Sequence, residues 1–264
     1  MSASDGTGAG AGAVRWLARS PSTNSALAAL ATADPGLPHL TAVATLEQTA
    51  GRGRLDRVWT APAGASLAAS VLIRLEAGRL APEQAGWLPI AAGVAMTAAV
   101  RAALPAARRD AVQLKWPNDV LVGERKICGI LAELLVDRSG AVVGSGVNTA
   151  MTAAQLPVET ATSLAIEGGR VDAAALLDDY LGRLDELVRA LAAHDGDAER
   201  SGLRASARAA CGTLGRRVRV ELPGREPATG LATDLDAAGR LHVVLDDGTP
   251  LDVAAGDVVH LRHR

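Results

Sequence analysis

Residues 48–59 read Gln48-Thr49-Ala50-Gly51-Arg52-Gly53-Arg54-Leu55-Asp56-Arg57-Val58-Trp59, with three arginines and two glycines in the seven positions from Gly51 to Arg57. This is not the pattern of a core element. Glycines let backbone amides approach an anion closely, and guanidinium groups stay charged and bind carboxylate or phosphate in bidentate fashion. An aromatic at the end can stack on a base or cover an apolar ligand. The stretch is not a Walker A loop, since no Gly-Lys-Ser/Thr follows. It is not a dinucleotide fingerprint either, since Asp56 stands where the third glycine belongs. Chemistry alone leaves two readings, an anion or nucleotide site and a solvated loop.

Two further segments stand out. Lys115-Trp116-Pro117-Asn118-Asp119-Val120 is followed by Lys126-Ile127-Cys128-Gly129-Ile130-Leu131-Ala132-Glu133. Pro117 interrupts a strand pattern, which puts Asn118 and Asp119 at a turn. Lys126 opens an apolar strand, where its ammonium can be aimed from the strand mouth. Asn-Asp after proline is also ordinary turn chemistry. Gly144-Ser145-Gly146-Val147-Asn148 closes another strand, and Ala161-Thr162-Ser163-Leu164 lies beyond it; glycines in a strand mark either close approach of a ligand or a bulge.

Around these motifs the chain alternates strands and helices. Ser22-Thr23-Asn24 caps a short helix over 25–32, and strands are expected at 41–47, 66–75, 112–116, 119–122, 127–136 and 141–147. An Ala-rich buried helix is expected at 89–104, with proline in its first turn. A long amphipathic helix is expected at 171–194, with Leu176, Leu177, Tyr180, Leu184, Leu187 and Leu191 inward. Residues 48–65 read as one long loop. From about Thr213 the texture changes to five short strands separated by Pro-Gly, Ala-Gly and Asp-Gly, the pattern of a small β-barrel.

Of the 264 residues, 48% are hydrophobic and 21% charged, with a formal charge of −2. No global field draws such a chain to nucleic acid or an anionic membrane. No uninterrupted apolar run reaches the roughly 18 residues of a membrane span, and residues 1–13, rich in Gly, Ala and Ser, read as a disordered tail rather than a signal peptide. The two cysteines, Cys128 and Cys211, form no metal or disulfide pattern, which fits a cytoplasmic protein with reduced thiols. There is no Phe, and 25 of the 27 basic side chains are Arg. The two lysines, Lys115 and Lys126, and the three asparagines, Asn24, Asn118 and Asn148, all fall inside the motifs above. In a chain that otherwise avoids these residues, each marks a place where another does not serve.

Taken together, Ser-Thr-Asn, Gln-x-x-Gly-Arg-Gly-Arg-x-x-Arg-x-Trp, Lys-Trp-Pro-Asn-Asp-Val, Lys-x-x-Gly-Ile-Leu-x-Glu and Gly-x-Gly-x-Asn resemble biotin protein ligases in order and spacing. The resemblance runs over about residues 14–264. It implies an α+β fold, a central mixed β-sheet flanked by helices (the class II synthetase-like biotin/lipoate ligase fold) over 14–210, with an SH3-like β-barrel over 211–264. It also implies an ATP-dependent enzyme that makes biotinyl-5'-AMP with magnesium assisting, then transfers biotin to a lysine of a biotin carboxyl carrier domain. The catalytic motifs begin at Ser22, so the monofunctional form without a DNA-binding domain is expected, as a monomer or homodimer with neither nucleic acid nor membrane as partner.

The resemblance implies roles residue by residue. Ser22, Thr23, Asn24 and Gln48 would meet the ureido end of biotin. Gly51, Arg52, Gly53 and Arg54 would form a loop over biotin and the adenylate, while Gly129 and Gly144 would let the backbone approach biotin. Arg54 and Arg57 would neutralise phosphate, and Trp59 would cover the adenine. Lys126 would contact both the biotin carboxyl and the α-phosphate, making Lys126, Arg54 and Arg57 the catalytic set. Asn118, Asp119 and Asn148 would hold the nucleotide or order nearby backbone. Asp56 departs from the glycine usual in this loop, and Cys128 from a common alanine. Lipoate ligases lack the arginine loop as it stands here. A non-catalytic biotin sensor would need neither Lys126 nor the arginines. A metalloenzyme lacks ligands, since only His260 and His263 lie close together.

Overall fold

The computed structural model describes residues 12–54, 57–74, 82–221, 226–254 and 257–261. The expected tail, apart from residues 12 and 13, lies outside the described residues, as do Asp56 and His263. The chain runs β1 (Val14–Trp16), α1 (Thr23–Ala33), β2 (Ala42–Thr45), β3 (Gly51–Arg52), β4 (Val58–Trp59), β5 (Ser66–Arg74), α2 (Trp87–Ala103), α3 (Ala106–Arg109) and β6 (Val112–Lys115). It continues through β7 (Asp119–Val122), β8 (Arg125–Leu134), β9 (Gly140–Asn148), α4 (Ala173–Ala193) and α5 (Leu203–Ala210). Last come β10 (Arg217–Glu221), β11 (Ala228–Leu235), β12 (Leu241–Leu245), β13 (Pro250–Val253) and β14 (Asp257–His260).

Seven strands form one sheet in the order β1-β2-β5-β9-β8-β7-β6. Only β1 and β2 pair in parallel, so the sheet is mixed, as expected. Its side chains divide with the strand period of two. On β5, Leu67, Ala69, Val71 and Ile73 join the main core with Val143 and Val147 of β9, under α2 and α4. Leu72 and Val142 point the other way and pack with Leu27 and Ala31 of α1 and Val43 of β2. Along that second face β5 and β9 continue with Ala68, Ser70, Gly144 and Gly146, which leave room for a pocket.

Helix α4 starts on Asp172, whose carboxylate accepts from Ala175 N at 3.0 Å, and buries Leu176, Leu177, Tyr180, Leu184, Val188 and Leu191. Val188 takes the inward place expected for Leu187, which is only partly buried. The run Gln84–Ala103 reaches the length and mean hydropathy of a membrane span, 20 residues at 1.3, although no unbroken apolar stretch does. Trp87, Leu88, Ile90, Ala95, Met96 and Val100 of this run are buried in the core, so its apolar surface is already covered.

The five C-terminal strands form an antiparallel sheet in the order β13-β12-β11-β10-β14, consistent with the SH3-like unit expected there. Val218, Val220, Ala232, Leu241, Val243 and Val258 share the main core with the larger sheet. Indole donors fasten the two together: Trp87 Nε1 donates to Ala237 O at 2.8 Å, and Trp116 Nε1 to Gly239 O at 2.9 Å.

Strands β1, β3 and β4 and helices α3 and α5 escaped the sequence reading, α3 because it has only four residues. Strand β1 has three residues, too few to show alternation. The β3–β4 hairpin folds within the segment read as a loop. Helix α5 carries its buried Leu203, Ala207 and Ala210 at helical spacing, but only two turns long and among arginines and serines. Helix α1 begins at Thr23, with Ser22 Oγ accepting from Ser25 N at 3.4 Å, so Thr23 and Asn24 lie in its first turn.

His260 joins β14 to the site below. Its Nε2 lies 2.9 Å from Thr213 Oγ1, which also accepts from Trp116 N–H at 3.0 Å. The ring is accordingly assigned as a neutral acceptor of the Thr213 hydroxyl. Burial, with Lys115 and Arg216 nearby, pushes the imidazole down to about 4. The unfolded ring takes up its proton near pH ~6.5, so unfolding binds a proton that the folded ring refuses. This contribution to stability is complete above that pH and is lost as pH falls toward about 4. His260→Gln is expected to flatten the fall of melting temperature over that interval; an unchanged slope would contradict the assignment.

Candidate functional site

The pocket lies on the α1 face of the large sheet. Its floor is the glycine-rich middle of β8 and β9, with Gly129 paired to Gly146 and Leu131 to Gly144. Three side chains lie on that floor because Gly129, Gly144 and Gly146 carry no Cβ atoms. A Cβ on Gly144 would stand 2.0 Å from Asn24 Oδ1, one on Gly146 2.6 Å from the Trp59 ring, and one on Gly129 3.0 Å from Lys126 Nζ. Sheet register therefore sets the glycines, and the glycines set where the polar groups can lie.

One end of the pocket is a network of hydroxyl and amide groups closed by an ion pair. Gln48 Oε1 accepts from Thr23 N at 2.8 Å and from Thr23 Oγ1 at 3.1 Å. Ser70 Oγ lies 2.7 Å from Thr23 Oγ1 and 2.6 Å from Asn24 Oδ1, while Asn24 Nδ2 donates to Glu133 Oε2 at 2.7 Å and to Leu131 O. Arg52 Nη2 closes this end on Glu133 Oε2 at 3.1 Å. Helix α1 contributes its N-terminal turn, so the residues that cap the helix also face the cavity.

The other end is cationic. Lys126, the second residue of β8, places Nζ 2.7 Å from Asp119 Oδ1 and 5.9 Å from the centroid of the Trp59 ring. Asn118 stands on the turn after the cis Trp116–Pro117 bond; its Oδ1 accepts from Arg54 Nη1 at 2.9 Å and its Nδ2 donates to Ile130 O at 2.7 Å. Among the described residues, Arg54, Arg57 and Lys126 line this end with Asp119 as its carboxylate, while Arg52 is paired with Glu133 at the other end. Such an excess of donors and positive charge, partly withdrawn from water, attracts an anion and strengthens each contact to it. Trp59 Nε1 is buried without a hydrogen-bond partner, a further donor in the wall.

Most of the residues expected from sequence come together. Ser22, Thr23, Asn24, Gln48, Arg52, Gly53, Arg54, Arg57, Trp59, Asn118, Asp119, Lys126, Gly129 and Gly144 all line this one pocket. Gly51 and Asn148 do not. Gly51 pairs with Trp59 across the hairpin, where a Cβ would meet Trp59 O at 2.5 Å. Asn148 is buried and donates from Nδ2 to Thr162 O at 2.9 Å, ordering backbone behind Lys126. Cys128 is buried, and its burial raises the thiol pKa far above the ordinary range. The sequence reading missed Ser70, Glu133, Ala68 and Gly146. Of these Gly146 and Glu133 had a signal, lying within the Gly-x-Gly and Lys-x-x-Gly-Ile-Leu-x-Glu motifs; Ser70 joins the site only through strand pairing.

Residues 16–148 match the Biotin/lipoate A/B protein ligase family, and residues 213–261 match the Biotin protein ligase C terminal domain. The chain is 37% identical over 258 residues to a biotin–[acetyl-CoA-carboxylase] ligase of Mycobacterium tuberculosis, covering 97% of this chain and 92% of that one. It resembles the biotin protein ligase of Aquifex aeolicus in complex with biotin and ATP, with a TM-score of 0.73 and 25% identity over 95% of this chain and 99% of the other. It also resembles the Leishmania major biotin protein ligase in complex with biotin, with a TM-score of 0.62 and 28% identity over 92% and 98% of the two chains.

Gly144→Ala drives a methyl group into Asn24, whose amide is held by Ser70, Leu131 and Glu133. Overpacking at such a site costs about 1–3 kcal/mol. Urea denaturation should show that loss, and an unchanged midpoint would mean Asn24 is free to move aside.

Proposed function

The chain belongs to the biotin/lipoate A/B protein ligase family, and we propose that it is a biotin protein ligase working in this pocket. It joins biotin to ATP as biotinyl-5'-AMP and then passes the biotinyl group to one lysine of a carboxylase's biotin carboxyl carrier domain. The observation that carries the reading is the polarity of the pocket, hydroxyl and amide groups with the Arg52–Glu133 pair at one end and Arg54, Arg57 and Lys126 at the other, across a glycine-rich floor. Biotin has the same polarity. Its ureido ring offers two N–H donors and a carbonyl acceptor to the Thr23, Asn24, Gln48 and Ser70 network. Its chain crosses Gly144 and Gly146, and its carboxylate reaches Lys126. The dithiolane ring of lipoate would leave that polar network unanswered, which is costly for buried groups.

In the first half-reaction a biotin carboxylate oxygen attacks the α-phosphorus of ATP, the bond to the β-phosphate oxygen breaks, and pyrophosphate leaves. Lys126 exchanges Asp119 for the carboxylate and α-phosphate, where negative charge gathers in the transition state. Arg54, aimed by Asn118, and Arg57 neutralise phosphate oxygens, and Arg52 and Gly53 cover the adduct with the β3–β4 hairpin. In the second half-reaction the neutral amine of the acceptor lysine attacks the acyl carbon, and AMP leaves with its electron pair. A closed hairpin keeps water from the anhydride during the wait.

ATP would arrive with magnesium. Among the described residues no group of three or more His, Cys, Asp or Glu side chains stands together, and Asp119 is the carboxylate of the lining. That suits an ion held chiefly by phosphates, with Asp119 as the protein's contribution. Magnesium supplies neutralisation of phosphate charge. ATP supply and the two free, buried cysteines fit a cytoplasmic location.

Labelled biotin, Mg-ATP and an apo biotin carboxyl carrier domain should give covalent label on the acceptor, dependent on ATP and on the acceptor lysine. Transfer of labelled lipoate instead, or biotin binding with no transfer, would defeat the proposal. Lys126→Ala should lower biotinyl-AMP formation by about 10²–10³-fold while the protein stays folded; near-normal turnover would remove its assigned role.

A further inference from the structure

Behind Lys126, away from the pocket, a single carboxylate is buried and fully engaged. The side chain of Glu167 is 1% exposed. Its Oε2 accepts from Arg108 Nε at 3.0 Å and also contacts Arg108 Nη2, while its Oε1 accepts from Arg125 Nη2 at 2.5 Å and from the Thr162 hydroxyl at 2.6 Å. A carboxylate withdrawn from water is tolerated only with such partners, and a network satisfied at both oxygens is rigid.

What this network fixes is the backbone on either side of Lys126. Lys126 N donates to Thr160 O at 2.7 Å, and Thr162 N donates to Lys126 O at 2.8 Å. The next residue back, Arg125, is itself tied to Glu167. Asn148 adds a third hold, donating from its side chain to Thr162 O and accepting from Leu164 N at its own carbonyl. The mouth of β8 is thus clamped to the segment 160–164, and Glu167 pins both through Thr162 and Arg125.

We infer that Glu167 is a positioning residue for adenylation, setting where Lys126 Nζ stands relative to the biotin carboxylate and the α-phosphate without touching either. The inference rests on the proposed role of Lys126. It implies that damage to the Glu167–Thr162 pair slows chemistry and spares substrate binding, because the ureido end of the pocket is built from α1, β5 and Gln48.

The test is single-turnover formation of biotinyl-AMP by Glu167→Gln and Thr162→Val, with melting temperatures recorded. Thr162→Val removes only the hydroxyl and keeps the branched shape, so it serves if Glu167→Gln does not fold. The expected result is a fall in kcat of about 10- to 100-fold, the scale of an ångström-sized misplacement, with the KM for biotin within about twofold of the parent. Glu167→Asp should recover part of the rate. In a Lys126→Ala background, Thr162→Val should cost nothing further, since both changes remove the same interaction. Full turnover by folded Thr162→Val, or an equal loss in both backgrounds, overturns the inference while leaving the ligase reading intact. Full turnover by Lys126→Ala removes the role on which the inference rests, and the inference with it.

Discussion

Strands β5, β9 and β8 carry bulk along one face and, where the pocket lies, little on the other, and the site depends on that local asymmetry. Because side chains alternate along a strand, the valines, leucines and isoleucine that pack beneath α2 and α4 force the intervening positions to the opposite face. There the sequence places Ala68, Ser70, Gly129, Gly144 and Gly146. A slip of one residue in β9 would put Val143 and Val147 in the pocket and the glycines in the core. The same hydrophobic pairing that holds the domain together therefore keeps the floor empty. Ser145, between the two glycines, shows the divide at one position: its hydroxyl turns inward to Tyr180 Oη at 3.1 Å, while its glycine neighbours face the cavity.

On that floor the protein holds its charges in mutual check. Lys126 rests on Asp119, Arg54 on Asn118 and Arg52 on Glu133. Each cation has a partner that keeps it from folding back on its neighbours and that a more negative ligand can replace. Asn118 and Asp119 belong to the turn between β6 and β7, and Trp116, just before that turn, is bonded through its indole to Gly239 and through its amide to Thr213. The C-terminal sheet thus braces the turn that orients two of the cations, which gives that sheet a place in the site although none of its described residues lines the pocket.

The chemistry was more legible in the sequence than the architecture that aims it. Residues with rare identities announced themselves: both asparagines that line the cavity, and Lys126, stood out in a chain with three Asn and two Lys. The arginine loop was visible because glycine and arginine so close together suit no core. Glu133, although it closes the Lys-x-x-Gly-Ile-Leu-x-Glu motif, carried no assigned role. Ser70 and Glu167 were invisible for a common reason. Each is an ordinary residue whose partner lies many positions away, so only strand pairing or a returning loop reveals its role. Asn148 stood out by its rarity, and its side chain donates to Thr162 O rather than lining the pocket. The short elements β1 and α5 were missed because pattern arguments need more than one or two periods to speak.

The most direct measurement is a crystal structure of the protein with a non-hydrolysable biotinyl-AMP analogue. The ureido ring is expected against Thr23, Asn24 and Ser70, the chain over Gly144 and Gly146, and Lys126 Nζ moved from Asp119 to bridge the acyl oxygen and the phosphate. An analogue bound with its phosphate away from Lys126, with the Lys126–Asp119 contact intact, would contradict this arrangement.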